Sequence, residues 1–244
     1  MKRILLFVPV VLLGCDQKQT AATGDAAAAT SATTTASVAP EPPKPPLVTV
    51  DDTAFVVAGD RVEFGKGGGD VAGRISGLLS SKPLVADQTL EVDALRDTTM
   101  AHMAIAIDAL RQSKAKSLTV KTAKRDRTMG TLAVTLAHPP APSCAAVGMI
   151  GKDNSIMVWP YGGAVAQRFT HGFAGPDITL GSAAFAKLAN ECTAPWDFVA
   201  GEDSIKWGVV FDLALAAAQT AGMHATSTVV LTKTPVAGRK INED

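Results

Sequence analysis

The chain has 244 residues, with 23 Lys and Arg against 23 Asp and Glu and a formal net charge of zero at pH 7. With that balance neither nucleic acid nor an anionic lipid surface is an obvious partner. Hydrophobic residues make up 47%, enough for a packed core, and aromatics 5%, too few for platforms that stack sugars or bases.

Lys2 and Arg3 precede an apolar run from Ile4 to Leu13, which ends in Leu12-Leu13-Gly14-Cys15. The run is about half of the ~20 residues that span a bilayer. With a small residue before cysteine it reads as a bacterial lipoprotein signal. Residues 1–14 are expected to be removed, leaving Cys15 as an acylated N-terminus on the periplasmic face of the envelope. Asp16 follows directly, a residue that in some Gram-negative bacteria favours the inner membrane over the outer.

Residues 15–46 are rich in Ala and Thr and end in Pro40-Glu41-Pro42-Pro43-Lys44-Pro45-Pro46. Large apolar side chains are too few there to offset the entropy of ordering, so a disordered tether is expected. Its proline end should extend at about 3.1 Å per residue.

From Leu47 the elements run through one order twice, giving a first unit over residues 47–137 and a second over 138–244. Leu47 to Val50 and Phe55 to Ala58 read as strands. Val71, Ile75, Leu78 and Leu79 mark one face of a helix, and Pro83 to Asp87 reads as a strand. A second helix, capped by Asp97 or Thr98, places Met100, Met103, Ala104 and Ile107 on one side. Strands are predicted over Ser117–Thr122 and Gly130–Ala137.

In the second unit Ala145–Ile150 and Ser155–Trp159 are strands around the turn Lys152-Asp153-Asn154. A helix over about Leu180–Glu191, a strand over Pro195–Val199, a helix carrying Val210, Leu213, Ala214 and Ala217, and a strand over Thr226–Thr232 complete it. The fold class is therefore α+β, two tandem ββαβαβ units, each a small sheet with helices on one face. The alternative is a single mixed α/β domain.

With Cys15 acylated, Cys144 and Cys192 remain as an even pair in an oxidising compartment, where thiols tend to join. A disulfide is expected, the alternative being two buried free thiols. No metal site is expected, because neither cysteine has a second cysteine or a histidine close in sequence.

The stretch from Leu84-Val85-Ala86-Asp87 through Ala104-Ile105-Ala106-Ile107-Asp108-Ala109-Leu110 to Leu118-Thr119-Val120 resembles the periplasmic domain of ExbD/TolR biopolymer-transport proteins. So does the stretch from Phe198-Val199-Ala200 through Phe211-Asp212-Leu213-Ala214 to Val229-Val230-Leu231-Thr232. The resemblance covers most of Leu47 to Pro235. In that family the domain follows a transmembrane helix bearing a proton-relaying aspartate and works beside a proton channel. Here a cleaved signal takes the helix's place, with no acidic residue in its apolar run, and a carboxylate outside the bilayer relays no protons through it. What the resemblance implies is the periplasmic role: dimerisation, and binding of an energy-transducing protein, a peptide strand or cell-wall material.

Chemistry-bearing motifs are sparse. His102, His138, His171 and His224 offer no i,i+3 or i,i+4 ligand pair. No Gly-x-Ser-x-Gly is present, and Gly65-Lys66-Gly67-Gly68-Gly69 lacks the Gly-Lys-Ser/Thr ending of a phosphate loop. No catalytic residue and no cofactor are assigned. The long insertion Trp159-Pro160-Tyr161-Gly162-Gly163 to Phe173-Ala174-Gly175-Pro176-Asp177 gathers aromatics beside glycines. Trp159, Tyr161, Phe173 and Asp177 are the candidate partner-binding residues; the alternative is a loop that packs its own aromatics over the second sheet. The expected function is that of a non-enzymatic, membrane-tethered binding or scaffolding accessory to an envelope transport complex. The alternatives are a peptidoglycan-binding lipoprotein and an envelope hydrolase whose pocket is assembled from distant carboxylates.

Overall fold

The computed structural model describes residues 44, 47–65, 70–82, 85–136, 144–172, 175–192, 194–220 and 227–242. The chain divides into residues 1–41 and residues 42–244, and every element below belongs to the second. The signal, Cys15 and nearly all of the tether lie outside the described residues.

Apolar alternation builds the first strands. β1 (Val48–Val50) turns back through Asp51, whose carboxylate accepts from the Thr53 and Ala54 N–H groups at 2.6 and 2.7 Å, into β2 (Ala54–Val57). β3 (Asp60–Glu63) follows a two-residue turn in which Ala58 and Gly59 take φ of 50° and 87°. Positive φ at both positions matches the right-handed strand twist. Asp70 caps α1 (Val71–Ser80) by accepting from the Gly73 N–H at 2.7 Å.

The strand expected over Pro83–Asp87 lies further along. Val85 to Asp87 form a turn, with Asp87 at φ 59°, and the strand is β4 (Thr89–Ala94), which buries Leu90, Val92 and Ala94 in alternation. Thr99, rather than Asp97 or Thr98, caps α2 (Met100–Gln112). β5 (Ser117–Ala123) and β6 (Met129–Thr135) pair antiparallel along seven residues each.

β7 (Ala146–Ile150), β8 (Ile156–Pro160), β9 (Gln167–Phe169), α3 (Ile178–Cys192), β10 (Trp196–Gly201), α4 (Trp207–Ala218) and β11 (Ser227–Val230) complete the chain. The architecture is mixed α and β; among the described residues there are four helices and one sheet of eleven strands in the order β3-β2-β1-β4-β5-β6-β11-β10-β7-β8-β9. Where two small sheets were expected there is one, because β6 and β11 pair parallel at Thr228 and Val134.

One large apolar cluster joins the four helices to the sheet, with Phe55, Ile75, Met103, Ile107, Phe185 and Phe211 among its buried members. The opposite face differs between the halves. Along β4, β5 and β6 it carries residues such as Glu91, Thr119, Lys121 and Thr131, which solvent reaches. In the second half it is covered, and β7 is buried at all five positions. Val147, Met149, Phe198, Ala200 and Val229 there form a second core with Ile241 and the partly buried Ala237 from the C-terminal segment.

Candidate functional site

The Trp159–Asp177 region starts on β8, crosses edge strand β9 and ends at α3. Trp159 and Tyr161 are only 1% and 3% exposed. The C-terminal segment holds them: the Trp159 indole N–H donates to the Arg239 carbonyl at 2.9 Å, and the Ile241 N–H donates to the Tyr161 carbonyl at 3.1 Å. A third bond, from the Ala164 N–H to the Gly238 carbonyl at 3.0 Å, fixes the start of the loop beneath the same strap. A partner approaching this face therefore meets Arg239 and Lys240 at the surface, not the indole or phenol ring.

Asp177 sits at the head of α3, where its carboxylate accepts from the Leu180 N–H at 3.1 Å and its carbonyl from the Gly181 N–H at 3.0 Å. Its geometry is that of a helix cap. Phe173 lies outside the described residues. What the loop presents to solvent is Val165, 95% exposed, and β9, whose Gln167 and Arg168 are exposed and which pairs among the described residues with β8 alone.

Cys144 and Cys192 form a disulfide with 4.9 Å between Cα atoms. It ties the approach to β7 to the last residue of α3. His102 stacks flat on Phe64 at 4.4 Å between ring centroids and points Nδ1 at Asp52, 3.4 Å away. His171 is exposed, while His138 and His224 lie outside the described residues. Among the described residues no group of three or more His, Cys, Asp or Glu is placed to hold a metal, and no helix is long and apolar enough to cross a membrane.

One titratable group escaped the sequence reading. Asp197, inside the otherwise apolar run of β10, is 3% exposed. Its carboxyl accepts from the Ala146 N–H, but burial outweighs that bond and pushes its pKa up to about 7. It borders a cavity of about 80 Å³ between β6, β11, α3 and α4. The signal was present as a lone acid between Trp196 and Phe198, but what surrounds it comes from elements more than 60 residues away at β6.

Compared with family models, curated proteins and solved structures, the chain matches none.

Proposed function

We propose that this is a lipid-anchored, non-enzymatic envelope protein, built from tandem ExbD/TolR-like halves, that binds a protein partner of a transport or energy-transducing complex. Its place at the periplasmic face, with the inner membrane favoured, rests on the Leu12-Leu13-Gly14-Cys15-Asp16 sequence.

The tandem reading is supported by matched local bonds. The order β3-β2-β1-β4-β5 has a counterpart in β9-β8-β7-β10-β11. The Leu95 N–H donates to Val50 at 2.9 Å, and Glu202 donates to Ile150 at 3.1 Å. Asp51 and Asp153 each close the first hairpin of their half by accepting from the N–H group two residues on. The halves also meet reciprocally: Met100 N–H donates to Ile205 at 2.8 Å and Trp207 N–H to Thr98 at 2.7 Å, each from the first residue of a helix to the turn before the other.

The observation that carries the binding role is the main-chain edge of β9, which among the described residues pairs with β8 alone, beside the exposed Val165. An extended peptide adds to such an edge through backbone hydrogen bonds, and Val165 supplies an apolar contact at its end. Photo-cross-linking in intact cells from position 167 should trap an envelope protein that position 128, in the β5–β6 turn, does not. Equal yields from both positions, or no adduct, remove the edge from the reading. Co-sedimentation of the purified chain with peptidoglycan would instead favour a cell-wall ligand.

A further inference from the structure

Burying a carboxyl group is costly unless it is paired and hydrogen-bonded. Asp197 has an N–H of Ala146 on its carboxyl, and among the described residues no ion pair reaches it. Across the β10–β11 pairing its neighbour is the buried Thr228. Beside it lies the cavity of about 80 Å³, walled by Phe185 from α3, Ala214 and Ala217 from α4, and Leu132 from β6. Thr228 contributes a hydroxyl to the same lining, and among the described residues no charged or titratable side chain other than Asp197 belongs to it.

This is a small chamber with a single negative charge at an apolar wall. At roughly 30 Å³ per water it has room for two or three waters or a few heavy atoms. A hard metal cation asks for six or more oxygen ligands, and walls of Leu, Phe and Ala do not provide them. An organic cation with a compact charged head and a short apolar stem fits both features.

We propose that the Asp197 cavity is a binding site for a primary ammonium group, either a free short alkylamine or the amino tip of a lysine-like side chain. The ammonium supplies the ion-pair partner that the carboxylate lacks, and a second N–H reaches the hydroxyl of Thr228, the cross-strand neighbour of Asp197. The stem methylenes replace water against Phe185, Ala214 and Leu132. Binding requires the ionised carboxylate, so the site fills as pH rises and empties as it falls. None of this depends on the β9 edge, and either reading can fail alone.

The test is a carbon-detected NMR titration of the Asp197 carboxyl in the full folded chain, with and without n-propylammonium chloride. Bound amine should lower the Asp197 midpoint by one pH unit or more, and below that midpoint affinity should weaken about tenfold per pH unit. Propan-1-ol, of the same size and uncharged, should leave the midpoint in place. D197N should stay folded, with a thermal transition no lower than the parent's, and lose amine binding. An unmoved midpoint at saturating amine concentrations, equal binding of the alcohol, or retained binding in D197N each overturns the proposal. Running Nα-acetyl-lysine N-methylamide beside propylammonium assigns the source. Binding of both means that a chain-borne amine is accepted, and binding of propylammonium alone restricts the site to free amines.

Discussion

Asp197 and the acidic turn residues pull the pH dependence of stability in opposite directions, because their surroundings act on charge in opposite ways. Burial holds the Asp197 pKa at about 7, against about 4 in an unfolded chain. A raised folded value means stability that is full below pH 4 and is lost as pH rises toward 7. Three pH units at ~1.4 kcal/mol each set an upper bound of about 4 kcal/mol. Asp153 runs the other way. The Ser155 hydroxyl and N–H, with Arg168, hold it down at about 2, so what it contributes is present above pH 4 and lost only between about pH 4 and 2. Asp197→Asn is therefore expected to match the parent near pH 4 and exceed it at pH 7.5, read from urea midpoints. Equal midpoints at the higher pH would mean that Asp197 is better solvated than its 3% exposure implies.

A second residue-scale expectation concerns Thr122 and Trp207, both fully buried. The Trp207 indole N–H donates to the Thr122 hydroxyl at 2.9 Å, and that hydroxyl donates to the Ala94 carbonyl at 3.0 Å. Thr122→Val preserves shape but orphans the indole N–H, which costs about 1–3 kcal/mol. The loss should appear as a lower urea midpoint at unchanged slope, and Thr122→Ser should recover most of it.

At the scale of elements, α3 is fastened at its C-terminal end by the Cys144–Cys192 disulfide, which closes a span of 48 residues. In the chain-entropy account such a loop is worth about 4 kcal/mol. The Cys144→Ser/Cys192→Ser pair should lower the denaturant midpoint accordingly, and added reductant should bring the parent chain to the same value. This link was readable from cysteine parity, just as α2 and β5 were readable from period. The short edge strands β3 and β9 were not, because Asp-Arg-Val-Glu and Gln-Arg-Phe carry the charge that guards a sheet edge and so hide the alternation. β4 was displaced because Pro83-Leu84-Val85 reads as β-rich, while Asp87 turns the backbone before the true alternation begins at Thr89. Packing of Trp159 and Tyr161 was the alternative that the aromatic-rich loop itself offered, but the C-terminal strap that covers them left no local trace, since it has no regular period. The same holds for Asp197, whose chamber is assembled by Phe185, Ala214 and Leu132 from three separate elements.

For the folded body as a whole, the question is whether its two halves melt together. Their seam is dense. Arg96, in the turn after β4, grips Asp212 of α4 with both terminal guanidinium nitrogens and reaches the Ala123 carbonyl at 3.1 Å. Arg111 of α2 donates to the Val230 carbonyl on β11 at 2.9 Å. α4 lies so close over β6 that a Cβ on Gly130 would stand 2.7 Å from Leu215 and 2.8 Å from Phe211. Neither half can be lifted away without exposing the buried faces of β6 and α4 and leaving charged groups without partners, so partial unfolding is costly. The tryptophans make this measurable, because all three, Trp159, Trp196 and Trp207, fall in the second half. Tryptophan fluorescence thus reports residues 144–242, whereas far-ultraviolet circular dichroism reports both halves. Urea transitions followed by the two probes are expected to coincide in the parent chain, the mark of one cooperative unit. Arg96→Ala removes the fork that spans the seam, and it should shift both curves together. Curves that separate in the parent would mean that the halves fold as independent domains joined by a weak strand contact.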